Sequence, residues 1–130
     1  MWSERAVVIS ILGALCVSVS LSAHHNAATV YNLETSAEVS LVGTVTRVDW
    51  VNPHIHLYVD VKGKDGKVVN YAVEGGTPNS LYRRGWRRDS VKPGDVVTIA
   101  NAAPSRNGTP RVHLGSITTA AGRELFSGRN

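Results

Sequence analysis

The chain has 130 residues, its 14 lysines and arginines outnumber its 10 aspartates and glutamates, and its formal net charge is +4. This length accommodates one domain with a modest core but not two. Cys16 and Met1, the single cysteine and the single methionine, both lie in the N-terminal segment. A chain that has lost this segment therefore has no disulfide, no thiol nucleophile, no zinc–thiolate site and no Cu(I)–thioether site.

Residues 1–23 have the pattern of a secretory signal peptide. A polar start containing Arg5 precedes the apolar run 6–19, and small residues follow up to Ala23. This run is shorter than the roughly twenty residues of a membrane-spanning helix. We expect cleavage after Ala23, with cleavage after Ser22 as the alternative. Either site predicts export to the periplasm and a mature chain without a transmembrane segment.

Residues 24–38 show no hydrophobic period, so they predict a flexible N-terminal arm ahead of a single domain at residues 39–130. Three strands follow from period-two alternation, at residues 39–51, 55–61 and 68–74. Gly66, in the segment between the second and third strands, predicts a tight hairpin turn. The residues of the first strand expected to share one face are Val42, Thr44, Thr46, Val48 and Trp50.

A short helix is predicted after the third strand. Thr77 is a suitable cap, Pro78 suits the first helical position, and Gly85 suits the end. A Pro-Gly turn at residues 92–95 then leads to further strands at 96–100 and 111–119, with a last short strand at 124–126.

This order predicts an all-β chain with small α content. We expect an OB-like five- to six-stranded Greek-key barrel with one short helix between strands 3 and 4. Another small barrel or sandwich fits the same order of elements.

Strand register predicts where the histidines lie. A three-residue loop between the second and third strands pairs His56 with Glu74, and keeps Leu57 and Val59 on the apolar face. A four-residue loop after the first strand pairs Asp49 with His56. We therefore expect Asp49, His56 and Glu74 side by side on the outer face of three neighbouring strands, with His54 toward the turn.

This cluster predicts a site for Cu(II) or Zn(II), because imidazole and carboxylate are ligands that suit both ions. The expected ligands are His54, His56, Glu74 and Asp49, with His24 adding its imidazole and its α-amine if cleavage follows Ala23. If cleavage follows Ser22, His25 becomes the third residue, another known copper-binding arrangement. The alternative is a purely structural network in which the carboxylates only orient the histidines. His113 is assigned no role.

The alternative function is a structural or interaction module without a metal, which docks an anionic surface or a periplasmic or membrane protein through its outer strand face and a basic segment. The residues of this basic segment are Arg83, Arg84, Arg87 and Arg88. No nucleic acid is expected as a partner, because the strands lack stacked aromatic residues. No catalytic motif is found: there is no Gly-x-Ser-x-Gly, phosphate loop or His-Glu-x-x-His, so we expect a binding protein and not an enzyme.

One family has the same combination of motifs. The residues that carry the likeness are His24-His25 after the leader, Gly43-Thr44-Val45, Trp50-Val51-Asn52-Pro53-His54, Asp65-Gly66-Lys67, Glu74, Leu81, Arg84-Gly85-Trp86 and Lys92-Pro93-Gly94-Asp95-Val96-Val97. In these the chain resembles domain-of-unknown-function family 6152, small exported proteins found mainly in Gram-negative bacteria. Asn26 stands where that family usually has serine. The resemblance implies export and a small folded domain, and it implies no activity or cofactor.

Overall fold

The computed structural model describes residues 26–127. These residues contain seven strands, two short helices and one 3-10 turn, joined by loops. The strands are β1 (Val39–Asp49), β2 (His56–Lys62), β3 (Val68–Glu74), β4 (Val96–Pro104), β5 (Arg111–His113), β6 (Ser116–Thr119) and β7 (Glu124–Phe126). Helix α1 spans Ala27–Val30, a 3-10 turn spans Thr35–Ala37, and helix α2 spans Pro78–Arg83. The predicted signal peptide lies outside the described residues.

Five of the strands close into a barrel. They pair in the order β1-β2-β3-β5-β4, and β4 returns to pair with β1. The β3–β5 pair is parallel and the other pairs are antiparallel. Helix α2 connects β3 to β4, so the predicted OB-like barrel is confirmed. Strands β6 and β7 extend the sheet beyond β4.

The hairpin of β2 and β3 has the predicted register. His56 pairs with Glu74 and Val59 pairs with Tyr71, and the turn is closed by the Gly63 amide donating to the Lys67 carbonyl at 2.8 Å. Leu57, Val59 and Val73 are at most 1% exposed. Burying one such side chain contributes about 2 kcal/mol. A one-residue slip would expose all three and cost on the order of 6 kcal/mol, which is why the alternation determines the register.

Strand β1 departs from the predicted face. The register shifts between Val45 and Arg47, where β1 contains a bulge against β2. Before the bulge Val42 is 58% exposed and Val45 is buried. After it Val48 packs against the core. The expectation that Val42 and Val48 share one face is therefore wrong, because the extra residue of a bulge inverts the alternation.

Helix α2 begins and ends as predicted. The Thr77 hydroxyl accepts from the Ser80 amide at 3.2 Å, and Pro78 is the first helical residue. Leu81 on this helix and Trp86 after it are buried, and the Trp86 indole donates to the Phe126 carbonyl at 3.0 Å. Helix α2 is therefore part of the barrel core.

No helix within residues 26–127 is long and apolar enough to cross a membrane.

The predicted strand at 111–119 is two strands, β5 and β6, separated by Leu114 and Gly115. At this break the Leu114 amide donates to the Glu74 carbonyl at 2.8 Å. A Cβ on Gly115 would meet the backbone of Asn101 and would lie 2.7 Å from the Ala100 oxygen. Alternation alone does not reveal such a backbone approach, and the break lets β5 pair with β3 while β6 pairs with β4.

Replacing Gly115 with alanine should destabilise the barrel by about 3 kcal/mol, because the new methyl group meets rigid backbone. Urea unfolding measures the loss. Gly122→Ala is the matched control, since φ there is +77° but nothing lies within 4 Å. That control should lose only the cost of a non-glycine residue at positive φ, about 1–2 kcal/mol. Equal losses in the two variants would show that the backbone approach at Gly115 is unimportant.

Candidate functional site

The strand registers bring four polar side chains into one row across the sheet. Asp49 pairs with His56, and His56 pairs with Glu74, as predicted. Glu74 in turn pairs with His113 of β5. This fourth member was not predicted, because the parallel β3–β5 pair joins segments that are distant in sequence.

The Glu74 carboxylate is the centre of the site. Its side chain is 14% exposed, so it needs donors to offset the loss of water. The Tyr31 hydroxyl donates to Oε2 at 2.7 Å, and Nδ1 of His54 lies 2.9 Å from Oε1. The Arg111 guanidinium lies 3.9 Å from Oε2 and partly balances the charge. Both oxygens of Glu74 therefore have a close protein partner.

The contact with Glu74 orients His54. An imidazole that donates from Nδ1 presents the lone pair of Nε2 on the opposite side of the ring. A carboxylate bonded to one ring nitrogen is the usual second partner of a metal-bound histidine. Glu74 is thus placed to orient the His54 ring.

His56 lies beside this pair. Its Nε2 is 3.9 Å from Oε2 of Glu74, which is too long for a hydrogen bond. Within residues 26–127 neither ring nitrogen of His56 has a hydrogen-bond partner. The side chain is 27% exposed, so a ligand from solvent can reach it.

Helix α1 and Tyr31 form one wall of the site. Tyr31 is 1% exposed, and burial together with the Glu74 carboxylate raises its pKa. Arg106 anchors this segment: its Nε donates to the Ala28 carbonyl at 2.8 Å, and its amide donates to the Val30 carbonyl at 2.9 Å. The aperiodic sequence predicted only an arm here. The structure adds that residues 26–31 dock on the barrel.

These residues enclose a cleft of about 240 Å³, which we call the histidine cleft. Its lining residues are Ala27, Val30, Tyr31, Pro53, His54, His56, Glu74 and Arg111. Tyr31 and Arg111 were missed by sequence reasoning. A lone tyrosine in an aperiodic segment and an arginine at a strand start give no signal until the β3–β5 pairing and the docked arm are known.

One predicted ligand, Asp49, is not among the described residues that line the cleft. The Asp49 carboxylate lies 3.2 Å from the Arg47 guanidinium. His24, with His25, lies outside the described residues. Among residues 26–127 no group of three or more His, Cys, Asp or Glu side chains is arranged to hold a metal ion. The described part of the site therefore offers two histidines and an orienting carboxylate.

His113 lies behind the cleft. Its ring meets the Tyr31 ring edge-on, with centroids 5.5 Å apart. Burial lowers the pKa of His113, and the Glu74 carboxylate opposes that shift only in part. Its Nδ1 is buried without a hydrogen-bond partner in the described part of the chain. The sequence analysis assigned His113 no role, and in the structure its ring packs against Tyr31.

The basic segment lies apart from the histidine cleft. Arg83, Arg84, Arg87 and Arg88 are all exposed, at the end of α2 and just beyond it. Arg87 donates to the carbonyls of Tyr82 and Trp86, and its guanidinium carbon lies 4.0 Å from the centroid of the Tyr82 ring. Within residues 26–127 none of these four arginines forms an ion pair with a carboxylate.

Comparison with protein families identifies the chain. Residues 13–113 match the Family of unknown function (DUF6152). The chain belongs to this family, and the resemblance seen in the sequence is confirmed. Neither the curated proteins nor the solved structures include a match to it.

Tyr31→Phe should destabilise the fold by about 2 kcal/mol, because it removes a buried hydrogen bond to a charged group. Thermal or urea unfolding measures this loss. Tyr71→Phe is the control: the Tyr71 hydroxyl has no hydrogen-bond partner among the described residues, so its loss should stay within about 0.5 kcal/mol. Equal free energies of unfolding for Tyr31→Phe and Tyr71→Phe would contradict the role given to the Tyr31 hydroxyl.

His113 should make stability depend on pH. Its pKa in the folded chain is lowered, so the unfolded chain takes up a proton first, near about pH 6.5. Stability should therefore fall as pH drops below that value. The free energy of unfolding can be measured by urea unfolding, with EDTA present, at about pH 7.5 and about pH 5.5. Between these two values it should fall less for His113→Gln than for the unaltered chain. Equal falls in the two proteins would contradict the prediction.

Proposed function

We propose that this chain is an exported, non-enzymatic binding protein that holds divalent copper or zinc in the histidine cleft. His54 and His56 are the imidazole ligands. The observation that carries the proposal is the contact of 2.9 Å between His54 Nδ1 and Glu74 Oε1. It directs Nε2 of His54 away from the carboxylate and makes it available to a metal ion.

In this proposal Glu74 orients a ligand and is not itself a ligand. Its oxygens already have Tyr31 and His54 as partners, and Arg111 reduces its effective charge. Asp49 is left out of the ligand set because its carboxylate pairs with Arg47.

The third ligand in this proposal is His24. Ala27 lines the histidine cleft, and His24 precedes it by three residues. An extended chain spans up to about 3.5 Å per residue, so a span of about 10 Å is available to bring His24 to the cleft. Cleavage after Ala23 would leave His24 with a free α-amine, and its two nitrogens would complete a four-nitrogen set with His54 and His56.

The location of the cleft supports a binding role. In OB-folds ligands bind on the face of strands 2 and 3, between the β1–β2 and β4–β5 loops. His54 lies in the first of these loops and Arg111 directly follows the second. This is an argument from fold analogy.

Calorimetric titration tests the metal site. The chain starting at His24 should bind one Cu(II) or Zn(II) ion, and a His54→Ala/His56→Ala double variant should bind at least about 100-fold more weakly. Glu74→Gln should weaken binding by about 10-fold or more, because the orienting carboxylate is lost. Equal, weak affinity in the unaltered chain and the double variant would overturn the proposal.

Asp49→Asn is the matched control for Glu74→Gln and should leave the metal affinity unchanged. A glycine added ahead of His24 tests the third ligand separately, because it moves the α-amine away from the imidazole. Cu(II) affinity should then fall, and an unchanged affinity would remove His24 from the ligand set.

The basic segment supports a second candidate function, the docking of an anionic surface or of a periplasmic or membrane protein. Its four exposed arginines lack carboxylate partners in the described part of the chain, so their charge is available to a partner.

Retention on a heparin column should fall in the Arg83→Glu/Arg84→Glu variant. Retention unchanged by this charge reversal would exclude the segment as a docking surface.

A further inference from the structure

A second cleft, of about 420 Å³, lies between the β1–β2 loop and helix α2. We call it the arginine cleft. Its lining residues are Trp50, Val51, Asn52, Pro78, Asn79, Tyr82 and Arg88. The β1–β2 loop contributes to both clefts, because Pro53 and His54 line the histidine cleft. No residue is shared between the two linings.

Tyr82 gives the arginine cleft an exposed aromatic wall. Tyr82 is 58% exposed, and the Arg87 guanidinium lies over its ring. Arg87 is itself held by the carbonyls of Tyr82 and Trp86. The ring is thus supported on one side, while much of its surface remains free to stack against a ligand.

Three polar side chains in this cleft have no partner in the described part of the chain. Asn52, Asn79 and Arg88 form no hydrogen bond and no ion pair there. Each asparagine amide can both donate and accept, which suits hydroxyl groups. The Arg88 guanidinium offers a planar pair of donors, which suits a carboxylate. No acidic residue lines the cleft.

We propose that the arginine cleft binds an acidic saccharide. One sugar ring stacks on Tyr82, its hydroxyl groups bond to Asn52 and Asn79, and its carboxylate pairs with Arg88. This inference rests on the second candidate function and gives that surface a specific ligand. An acidic peptide is the less suitable occupant, because the cleft has two amides for hydroxyl groups and only Val51 and Pro78 as aliphatic lining residues. The β1–β2 loop is also one that binds oligosaccharides in other OB-folds.

The test compares three probes by isothermal titration or by ligand-observed NMR. They are a tetrasaccharide of alternating glucuronic acid and N-acetylglucosamine, neutral tetra-N-acetylchitotetraose, and tetraglutamate. The acidic tetrasaccharide should bind at least about 10-fold more tightly than either of the others, because only it has both a stacking ring and a carboxylate. Equal binding of tetraglutamate would overturn the saccharide in favour of simple charge attraction.

Variants locate the site. Tyr82→Ala, Arg88→Ala and the Asn52→Ala/Asn79→Ala pair should each weaken tetrasaccharide binding by about 5-fold or more. Tyr82→Phe should retain it, which separates loss of stacking from loss of folding. Lys64→Ala is the control: Lys64 is an exposed cation of the β2–β3 turn that lines neither cleft and lies outside the basic segment, so this variant should bind as the unaltered chain does.

Tetrasaccharide affinity that is the same in Tyr82→Ala and in the Lys64→Ala control would overturn this inference. The heparin experiment distinguishes that result from failure of the docking function itself. Suppose that heparin retention falls in the Arg83→Glu/Arg84→Glu variant but tetrasaccharide affinity is unchanged in Tyr82→Ala. The basic segment would then remain a docking surface, and the arginine cleft would not be a saccharide site.

Discussion

The site depends on one partly buried carboxylate. The Glu74 carboxylate contacts the Tyr31 hydroxyl in the N-terminal segment, His54 in the β1–β2 loop and Arg111 in β5. These three segments are far apart in sequence, and a carboxylate shielded from water is stable only when such donors surround it. The contacts that Glu74 requires therefore hold these three segments together, and they also orient the His54 imidazole.

Much of the barrel could be predicted from the sequence because its determinants are local. The alternation of Leu57 and Val59, the turn that returns the chain at Gly66, and the Thr77 cap each act within a few residues. Register followed from burial, and it placed His56 between Asp49 and Glu74 correctly. The order of elements around one helix was sufficient to favour the OB-like topology.

What could not be predicted depends on contacts between distant segments. The bulge after Val45 inverted the faces of β1, and period-two reasoning assumes that no residue is inserted. The site partners Tyr31 and Arg111 became recognisable only through the docking of the arm and the parallel pairing of β3 with β5. The pairing of Asp49 with Arg47 is a competition between side chains that strand register does not decide.

The docking of helix α1 has a practical consequence for handling the protein. Because Ala27 lines the histidine cleft, a tag joined a few residues ahead of it is tethered within a short distance of His54 and His56. A polyhistidine tag fused there would supply competing imidazoles at high effective concentration and would obscure whatever the cleft itself binds. Purification tags therefore belong at the other terminus, or have to be removed before metal binding is measured.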